Sequence, residues 1–235
     1  MQRTIAKWII GSIALTSMAL TGCVRKPDPT ANDPLEGYNR AMFALNQDID
    51  HLAVGPVALI YSKITPAPLQ AGVTNAFNNL DEISTFPNDF LQGNFRYMVL
   101  DFWRFAINTT FGVGGLFDVA TRMGIKPHVE SFSLTLAKWR GGKSSPYFVI
   151  PVLGPSSIQG ALGMAGDYYM TPFPYLSNTV NYSVTGVRLI HTRAQFLPAD
   201  KLVETAFDPY VFVRDAYTQK EKDQIAENQA LEPLK

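Results

Sequence analysis

The sequence predicts a mostly α-helical protein, with a single domain of amphipathic helices joined by loops rich in glycine and proline. Two observations lead to this prediction. Apolar residues recur every three or four positions in several segments, which is the period of an amphipathic helix. The 16 prolines and 17 glycines fall largely between those segments.

The chain begins with the pattern of a secretory signal peptide. A basic, acid-free start precedes the uncharged run 8–20, which is too short for a stable bilayer span. The run ends in Leu20-Thr21-Gly22-Cys23, which resembles the bacterial lipobox and contains the only cysteine. We therefore expect residues 1–22 to be removed and Cys23 to be acylated, the alternative being a cleaved signal with an incidental cysteine. Val24 in place of aspartate favours the outer membrane as destination.

The composition after this leader excludes one class of partner and indicates another. Loss of the leader's two basic residues turns 20 basic and 20 acidic residues into 18 and 20, a net charge of −2. That balance gives no electrostatic case for nucleic acid. Charged residues are only 17% against about 25% in typical domains, which suggests that part of the surface does not face water. Residues 23–32 are predicted to form the acylated cysteine and a short extended tether.

Helices are predicted from the start of the domain, which we place at 33–219. Asp33 is the expected N-cap of the first helix, with Glu36 at capping-box spacing, and Gly55-Pro56 is expected to end it. A second helix is predicted after Pro68 and is expected to break at Pro87.

The third helix carries a narrow polar stripe. From Asn94 to Thr109 apolar residues occupy most of the circumference, and Tyr97, Asp101, Arg104 and Asn108 line up at spacings of 4, 3 and 4. A helix that is apolar nearly all round is buried in protein or lipid, so the stripe must face something polar. Asp101 and Arg104 are close enough to pair with each other. A core helix with a thin solvent-facing edge is the alternative.

The remaining segments are predicted in less detail. Gly112, Gly114 and Gly115 permit a flexible or tightly turned backbone. The predictions for the next segments are a short strand or a helical turn from Ser131 and an extended segment at 145–157. Helices are predicted at 182–196 and after the cap Asp208, followed by a polar frayed helix or tail at 220–235. No second membrane-spanning helix is predicted.

The sequence lacks the motifs of the common enzyme classes. His51, His128 and His191 lie far apart, without metal-ligand spacing, and are expected at the surface or at helix ends. The nucleophile motif of lipases is absent as well. We therefore expect no catalytic residues, no cofactor and no metal site.

Four segments in order resemble the VacJ/MlaA family of outer-membrane lipoproteins. They are DPLEGYNRAMFALN, FLQGNFRYMVLDFWRFAINTTFGVGGLFDVA, SPYFVIPVLGPSS and TRAQFLPADKLVETAFDPYVFVRDAYTQ, and the similarity runs from Asp33 to Lys220. The resemblance implies a ring of helices in the inner-leaflet region of the outer membrane of a Gram-negative bacterium, anchored on the periplasmic side, with an amphipathic central channel. It also implies removal of mislocalised glycerophospholipids from the outer leaflet and their transfer to a soluble periplasmic carrier. The implied neighbours are trimeric porins.

This expectation gives the polar and glycine-rich positions candidate roles. The stripe of Tyr97, Asp101, Arg104 and Asn108 would line the lipid path, and the three glycines would let a neighbouring segment move as a gate. Replacement of Arg104 by leucine is then expected to impair transport without unfolding the protein. Two alternatives stay open: a structural lipoprotein that binds porin without moving lipid, and an outer-membrane lipid hydrolase.

Overall fold

The computed structural model describes residues 33–231, which form a mostly helical protein as predicted. The predicted signal peptide, the acylated Cys23 and the tether to residue 32 lie outside the described residues, as do residues 232–235.

Ten α-helices and one two-stranded sheet make up the described part of the chain. The helices are α1 (Glu36–Ile49), α2 (Gly55–Ile64), α3 (Ala67–Gln92), α4 (Phe95–Thr110), α5 (Val119–Arg122), α6 (Phe132–Trp139), α7 (Ile158–Met170), α8 (Asn178–Phe196), α9 (Asp200–Glu204) and α10 (Pro209–Ala230). A π-helical turn covers Asp50–Val54, and 3₁₀ turns cover Phe173–Tyr175 and Leu197–Ala199. Strands β1 (Tyr147–Ile150) and β2 (Gly154–Ser157) pair antiparallel, with Tyr147 opposite Ser157.

The start of α1 differs from the prediction. Leu35 occupies the cap position and makes no side-chain cap bond. The Asp33 carboxylate is buried instead, where it accepts a hydrogen bond from the Tyr210 hydroxyl of α10. Glu36 pairs with Arg40 at 2.7 Å rather than closing a capping box. The predicted cap was wrong because Tyr210 engages Asp33 from across the fold and Arg40, one turn along the same helix, engages Glu36.

Helical structure also continues through Gly55-Pro56, which the sequence analysis expected to be a helix end. The π turn Asp50–Val54 joins α1 to α2. Pro56 is the second residue of α2, where the missing N–H costs little. The Asp50 carboxylate accepts two hydrogen bonds of 2.7 Å from Arg193 of α8, which fixes the turn in place.

Pro87 does not break α3, which runs on to Gln92 and ends at Gly93 with φ of 75°. Side-chain donors on neighbouring residues bond to carbonyls of the same stretch: the Thr85 hydroxyl donates to Asp81 O at 3.1 Å and Asn88 Nδ2 to Ser84 O at 2.8 Å. These bonds, together with packing against α4, outweigh the cost of a proline inside a helix.

Two asparagines of α1 bind the hairpin. The amide of Asn39 accepts from Val149 N at 2.9 Å and donates to Tyr147 O at 3.1 Å. Asn46, two turns further along, accepts from Val152 N at 2.6 Å and donates to Ile150 O at 3.0 Å. Side-chain amides therefore satisfy an edge of β1 that would otherwise need another strand.

The C-terminal half contains both confirmed and unexpected helices. Asp208 caps α10, accepting from Val211 N at 3.2 Å, as predicted. Phe132–Trp139 forms α6 with Ser131 as its N-cap, the helical one of the two predicted alternatives. Helix α7 was not predicted. Helix α10 extends to Ala230 and buries Glu221, Ile225 and Asn228, so the predicted domain end at 219 falls inside an ordered helix.

The distribution of polar and apolar side chains is inverted relative to a water-soluble domain. Among the described residues, 24 buried side chains are polar or charged and only nine are hydrophobic. Four of the nine are alanines, and the other five are Leu134, Tyr147, Val149, Tyr210 and Ile225. At the same time 38 large hydrophobic side chains are exposed. Water-soluble proteins almost never bury so many charged groups in preference to apolar ones.

Within residues 33–231 no single helix combines the length and hydropathy of a membrane span. One bent pair meets both criteria together: Glu36–Ile64 followed by Ala67–Gln92, at an angle of 120°.

Candidate functional site

The polar stripe of α4 faces the protein interior. Asp101, Arg104 and Asn108 are buried against α3 and the segment 118–130, while Tyr97 is half-buried. The structure thus places the four residues on one face, as the spacing predicted. Their role in lining a lipid path stays a prediction, because Asp101, Arg104 and Asn108 each make hydrogen bonds within the protein.

Arg104 lies at the centre of this interior. Its Nε donates to Glu82 Oε1 at 2.9 Å, and Nη1 donates to Thr121 Oγ1 at 3.1 Å and to the Ile125 carbonyl. Asp118 approaches Nη2 at 3.5 Å. The predicted pairing of Arg104 with Asp101 was wrong, because α3 and the loop after α4 supply better placed acceptors.

Asn108 orients the start of α5. It accepts a hydrogen bond from Ala120 N at 2.9 Å and donates to Asp118 Oδ1 at 3.2 Å. Asp118 in turn caps α5, accepting from Thr121 N at 3.0 Å. Burial tends to raise the pKa of Asp118, but its bonds with Thr121 and the charge of Arg104 leave that pKa below its ordinary value.

A second polar stripe, which the sequence analysis missed, meets the first. On α3, Asn79, Glu82, Thr85 and Asp89 recur at spacings of 3, 3 and 4, and all are buried. The same period that revealed the stripe on α4 is present here, so this stripe could have been found from the sequence. Burial and the Asp101 charge raise the pKa of Glu82 to about 7, against the opposing effect of Arg104.

His128 completes the polar interior, where it lies between carboxylates. Its Nδ1 is 2.9 Å from Asp101 Oδ2 and 3.8 Å from Asp89 Oδ2, and its Nε2 is 3.3 Å from Glu130 Oε1. Burial lowers the pKa of His128, but the surrounding carboxylates outweigh it and raise that pKa to about 10. Burial and the neighbouring Asp101 raise the pKa of Asp89 to about 9.

The expectation that the histidines decorate the surface was wrong for two of the three. His128 is largely buried and stacks on the Tyr97 ring at 4.6 Å. His191 is buried between α2 and α3, with Tyr61 Oη at 2.9 Å from Nδ1 and Thr74 Oγ1 at 2.9 Å from Nε2. Only His51 is exposed.

The three glycines form a tight turn after α4. Gly114 and Gly115 have φ of 68° and 91°, in the left-handed region that favours glycine. A Cβ on Gly112 would lie 2.2 Å from Phe117 O, and one on Gly115 would lie 2.6 Å from Asn79 Cβ. The turn therefore needs glycine for close packing as well as for its backbone angles, and its predicted motion as a gate stays a prediction.

Known proteins resemble this chain along most of its length. A family model described as MlaA lipoprotein matches residues 31–224. The chain is 33% identical over 232 residues to the intermembrane phospholipid transport system lipoprotein MlaA of Escherichia coli, covering 95% of this chain and 91% of that protein. The Haemophilus influenzae protein of the same name is 32% identical over 228 residues, covering 93% and 90%.

The fold agrees with a solved structure from work on the structural basis for maintenance of bacterial outer membrane lipid asymmetry. The two superpose with a TM-score of 0.71 at 33% sequence identity, over 82% of this chain and 98% of that one. Family model, relatives and fold each span most of the sequence, and on these grounds the chain belongs to the MlaA lipoprotein family.

Proposed function

We propose that this protein removes mislocalised glycerophospholipids from the outer leaflet of the outer membrane and passes them to a soluble periplasmic carrier. In this way it would maintain the lipid asymmetry of that membrane. Membership of a family whose relatives are named for intermembrane phospholipid transport supports the proposal. The proposal includes removal of residues 1–22 and anchoring of the protein on the periplasmic side through acylated Cys23.

The single observation that carries the proposal is the inverted distribution of side chains. Exposed apolar residues are stable against lipid or an apolar partner, whereas buried polar groups can serve a head group that must cross an apolar region. A protein that only rests on a membrane needs the exposed apolar surface but has no use for a polar interior. The two features together suit an amphipathic channel.

Within this proposal the stripe residues have different tasks. Asp101, Arg104 and Asn108 hold α3, α4 and the segment 118–130 together and so set the width of the path, because each bonds to a neighbouring element. Tyr97 is the stripe member that remains partly accessible and can contact a passing lipid. Gly112, Gly114 and Gly115 would form the turn on which a gate pivots.

Two protein partners belong to the proposal. A trimeric porin would cover part of the exposed apolar surface, and the soluble carrier would receive the lipid on the periplasmic side. No hydrolysis is proposed: purified protein incubated with phospholipid should release no lysophospholipid.

The test uses a strain that lacks the protein. An impermeant amine reagent applied to intact cells labels the phosphatidylethanolamine of the outer leaflet, and porin co-purification is measured in parallel. We expect labelling to rise without the protein, and to return to normal with the wild-type chain but not with Cys23→Ala. Unchanged labelling, with the porin still co-purifying with the wild-type chain, would contradict transport and favour a structural porin-associated lipoprotein.

A further inference from the structure

A buried acidic cluster lies beside the stripe, where α3, α4 and the segment 125–131 meet. The side chains of Asp89, Asp101 and Glu130 are 0%, 1% and 0% exposed. Arg104, the nearest guanidinium of the stripe, is engaged by two other carboxylates and a backbone carbonyl. Buried carboxylates are costly without a counter-charge, and the single imidazole of His128 cannot balance three of them.

Asp89 is the least satisfied member of the cluster. Within residues 33–231 neither of its carboxylate oxygens accepts a hydrogen bond from a donor, and Asp101 Oδ1 also lacks one. The Asp89 and Asp101 carboxyls face each other, and two such groups can bond directly only by sharing a proton. A cationic ligand would satisfy these buried oxygens in place of the shared proton.

The orientation of His128 points to the same ligand. Its Nδ1 lies 2.9 Å from Asp101 Oδ2, so the carboxylate can accept the Nδ1 proton, and a metal ion can take the place of the proton on Nε2. That Nε2 atom is buried and lies 3.3 Å from Glu130 Oε1. Histidines that bind metal ions are held in this way, with the second ring nitrogen bonded to a carboxylate.

We propose that Asp89, His128 and Glu130 bind one divalent transition-metal ion of the zinc type. One potential ligand atom from each of the three residues lies within 4.8 Å of the others. The separation of 3.3 Å between His128 Nε2 and Glu130 Oε1 is close to the roughly 3.3 Å expected between two ligand atoms in a tetrahedral zinc site with bonds of about 2.0–2.1 Å. One imidazole and two carboxylates suit zinc better than the all-oxygen sites of magnesium or calcium.

A second layer of hydrogen bonds holds the third ligand. Gln92 Nε2 donates to Glu130 Oε2 at 2.6 Å, and Asn228 Nδ2 of α10 donates to Glu130 Oε1. A bound ion would thereby fasten α3, the segment after α5 and the end of α10 to one point. Its role would be structural, because it would join three separate parts of the fold.

Protons on the same groups are the competing way to neutralise the cluster. The two possibilities differ in what they predict for chelation, because a chelator removes a metal ion and leaves a shared proton in place.

The experiment uses the full-length acylated protein in detergent. Metal content is measured by mass spectrometry on protein as purified, and the midpoint of thermal unfolding is compared before chelation, after chelation and after addition of Zn²⁺. We expect about one zinc ion per chain, a fall in the unfolding midpoint on chelation, and its recovery with Zn²⁺.

Variants then assign the ligands. Asp89→Asn and His128→Gln should abolish the response of the unfolding midpoint to Zn²⁺, and Asp101→Asn should weaken Zn²⁺ affinity by about 10- to 100-fold, since it only orients the histidine. Glu221→Gln is the matched control, because Glu221 is a buried carboxyl bonded to Ser157 outside the cluster; it should keep the full response.

The proposal is overturned if the wild-type protein binds no stoichiometric metal and its unfolding midpoint ignores both chelator and Zn²⁺. Those measurements need no variant, so they stand even if a substituted chain fails to fold. A Zn²⁺ response that survives in both Asp89→Asn and His128→Gln would also overturn it.

Discussion

Replacement of Arg104 by leucine tests the view that the stripe is a structural centre. The Arg104 side chain is 3% exposed and engages Glu82 at 2.9 Å, with further bonds to Thr121 and the Ile125 carbonyl. Leucine supplies none of these donors and leaves the Glu82 carboxylate buried and unpaired. Breaking a buried ion pair by removing one partner costs about 3–5 kcal/mol.

The expected effect is therefore a large loss of thermal stability. At about 2–4 °C per kcal/mol for a chain of this size, the unfolding midpoint of Arg104→Leu should fall by about 6–20 °C. Circular dichroism of the detergent-solubilised protein measures that midpoint. Addition of Glu82→Gln to Arg104→Leu should recover part of the loss, because a neutral amide costs less to leave unpaired than a carboxylate.

A control separates burial from charge removal. Arg188 pairs with Asp81 at 2.6 Å, but both side chains are about 40% exposed, so Arg188→Leu should cost no more than about 1 kcal/mol. If Arg104→Leu unfolds within about 2 °C of the wild-type protein, the stripe is not a structural centre. The result would then favour the expectation from the sequence, that the variant folds normally.

Three further changes test other parts of the fold. Gly115→Ala should lower stability by about 1–3 kcal/mol, because φ is 91° and the new Cβ would meet Asn79 at 2.6 Å; thermal unfolding measures this. The hydrogen bond from Arg40 lowers the pKa of Asp208, so its contribution to stability is present above the unfolded pKa of about 4 and lost as the pH falls further. The unfolding midpoint of Arg40→Met should therefore fall less steeply than that of the wild type below about pH 5. Ile225→Ala should cost about 2–5 kcal/mol, since Ile225 is 5% exposed, and chemical denaturation measures the loss.

Each of these predictions has a clear contrary result. Wild-type stability in Gly115→Ala would mean that the turn adapts, and Gly114→Ala, with open space around it, is the matched comparison. If the unfolding midpoints of Arg40→Met and the wild type fall equally with pH, Arg40 does not contribute to the loss of stability in acid. If Ile225→Ala is as stable as the wild type, the end of α10 does not pack on the domain, and the prediction of a frayed tail would be favoured.

Periodicity predicted which residues share one face of a helix, but not which residues of separate elements contact each other. The stripe on α4 could be found because its four residues share one face of one helix. The contacts of Arg104 with Glu82 and of Asp101 with His128 could not be predicted, because each joins two separate elements. The stripe on α3 itself could have been found from its period.

Local rules failed where tertiary contacts outweighed them. Pro87 and Pro56 were expected to end helices, but side-chain donors and a π turn keep the chain helical at both places. Asp33 has the residue type of an N-cap, yet Tyr210 engages its carboxylate from across the fold. The low fraction of charged residues, by contrast, agrees with the exposed apolar side chains, and the prediction that part of this surface does not face water stays a prediction.

The inverted distribution of side chains also governs the protein before it reaches its final location. A chain with 38 large apolar side chains exposed among residues 33–231 cannot stay dispersed in an aqueous compartment, because such surfaces associate with one another. Folding in water would therefore compete with self-association at every stage. Under the proposed function, transfer from the site of synthesis to the membrane therefore needs a partner that covers those side chains until the protein reaches the bilayer.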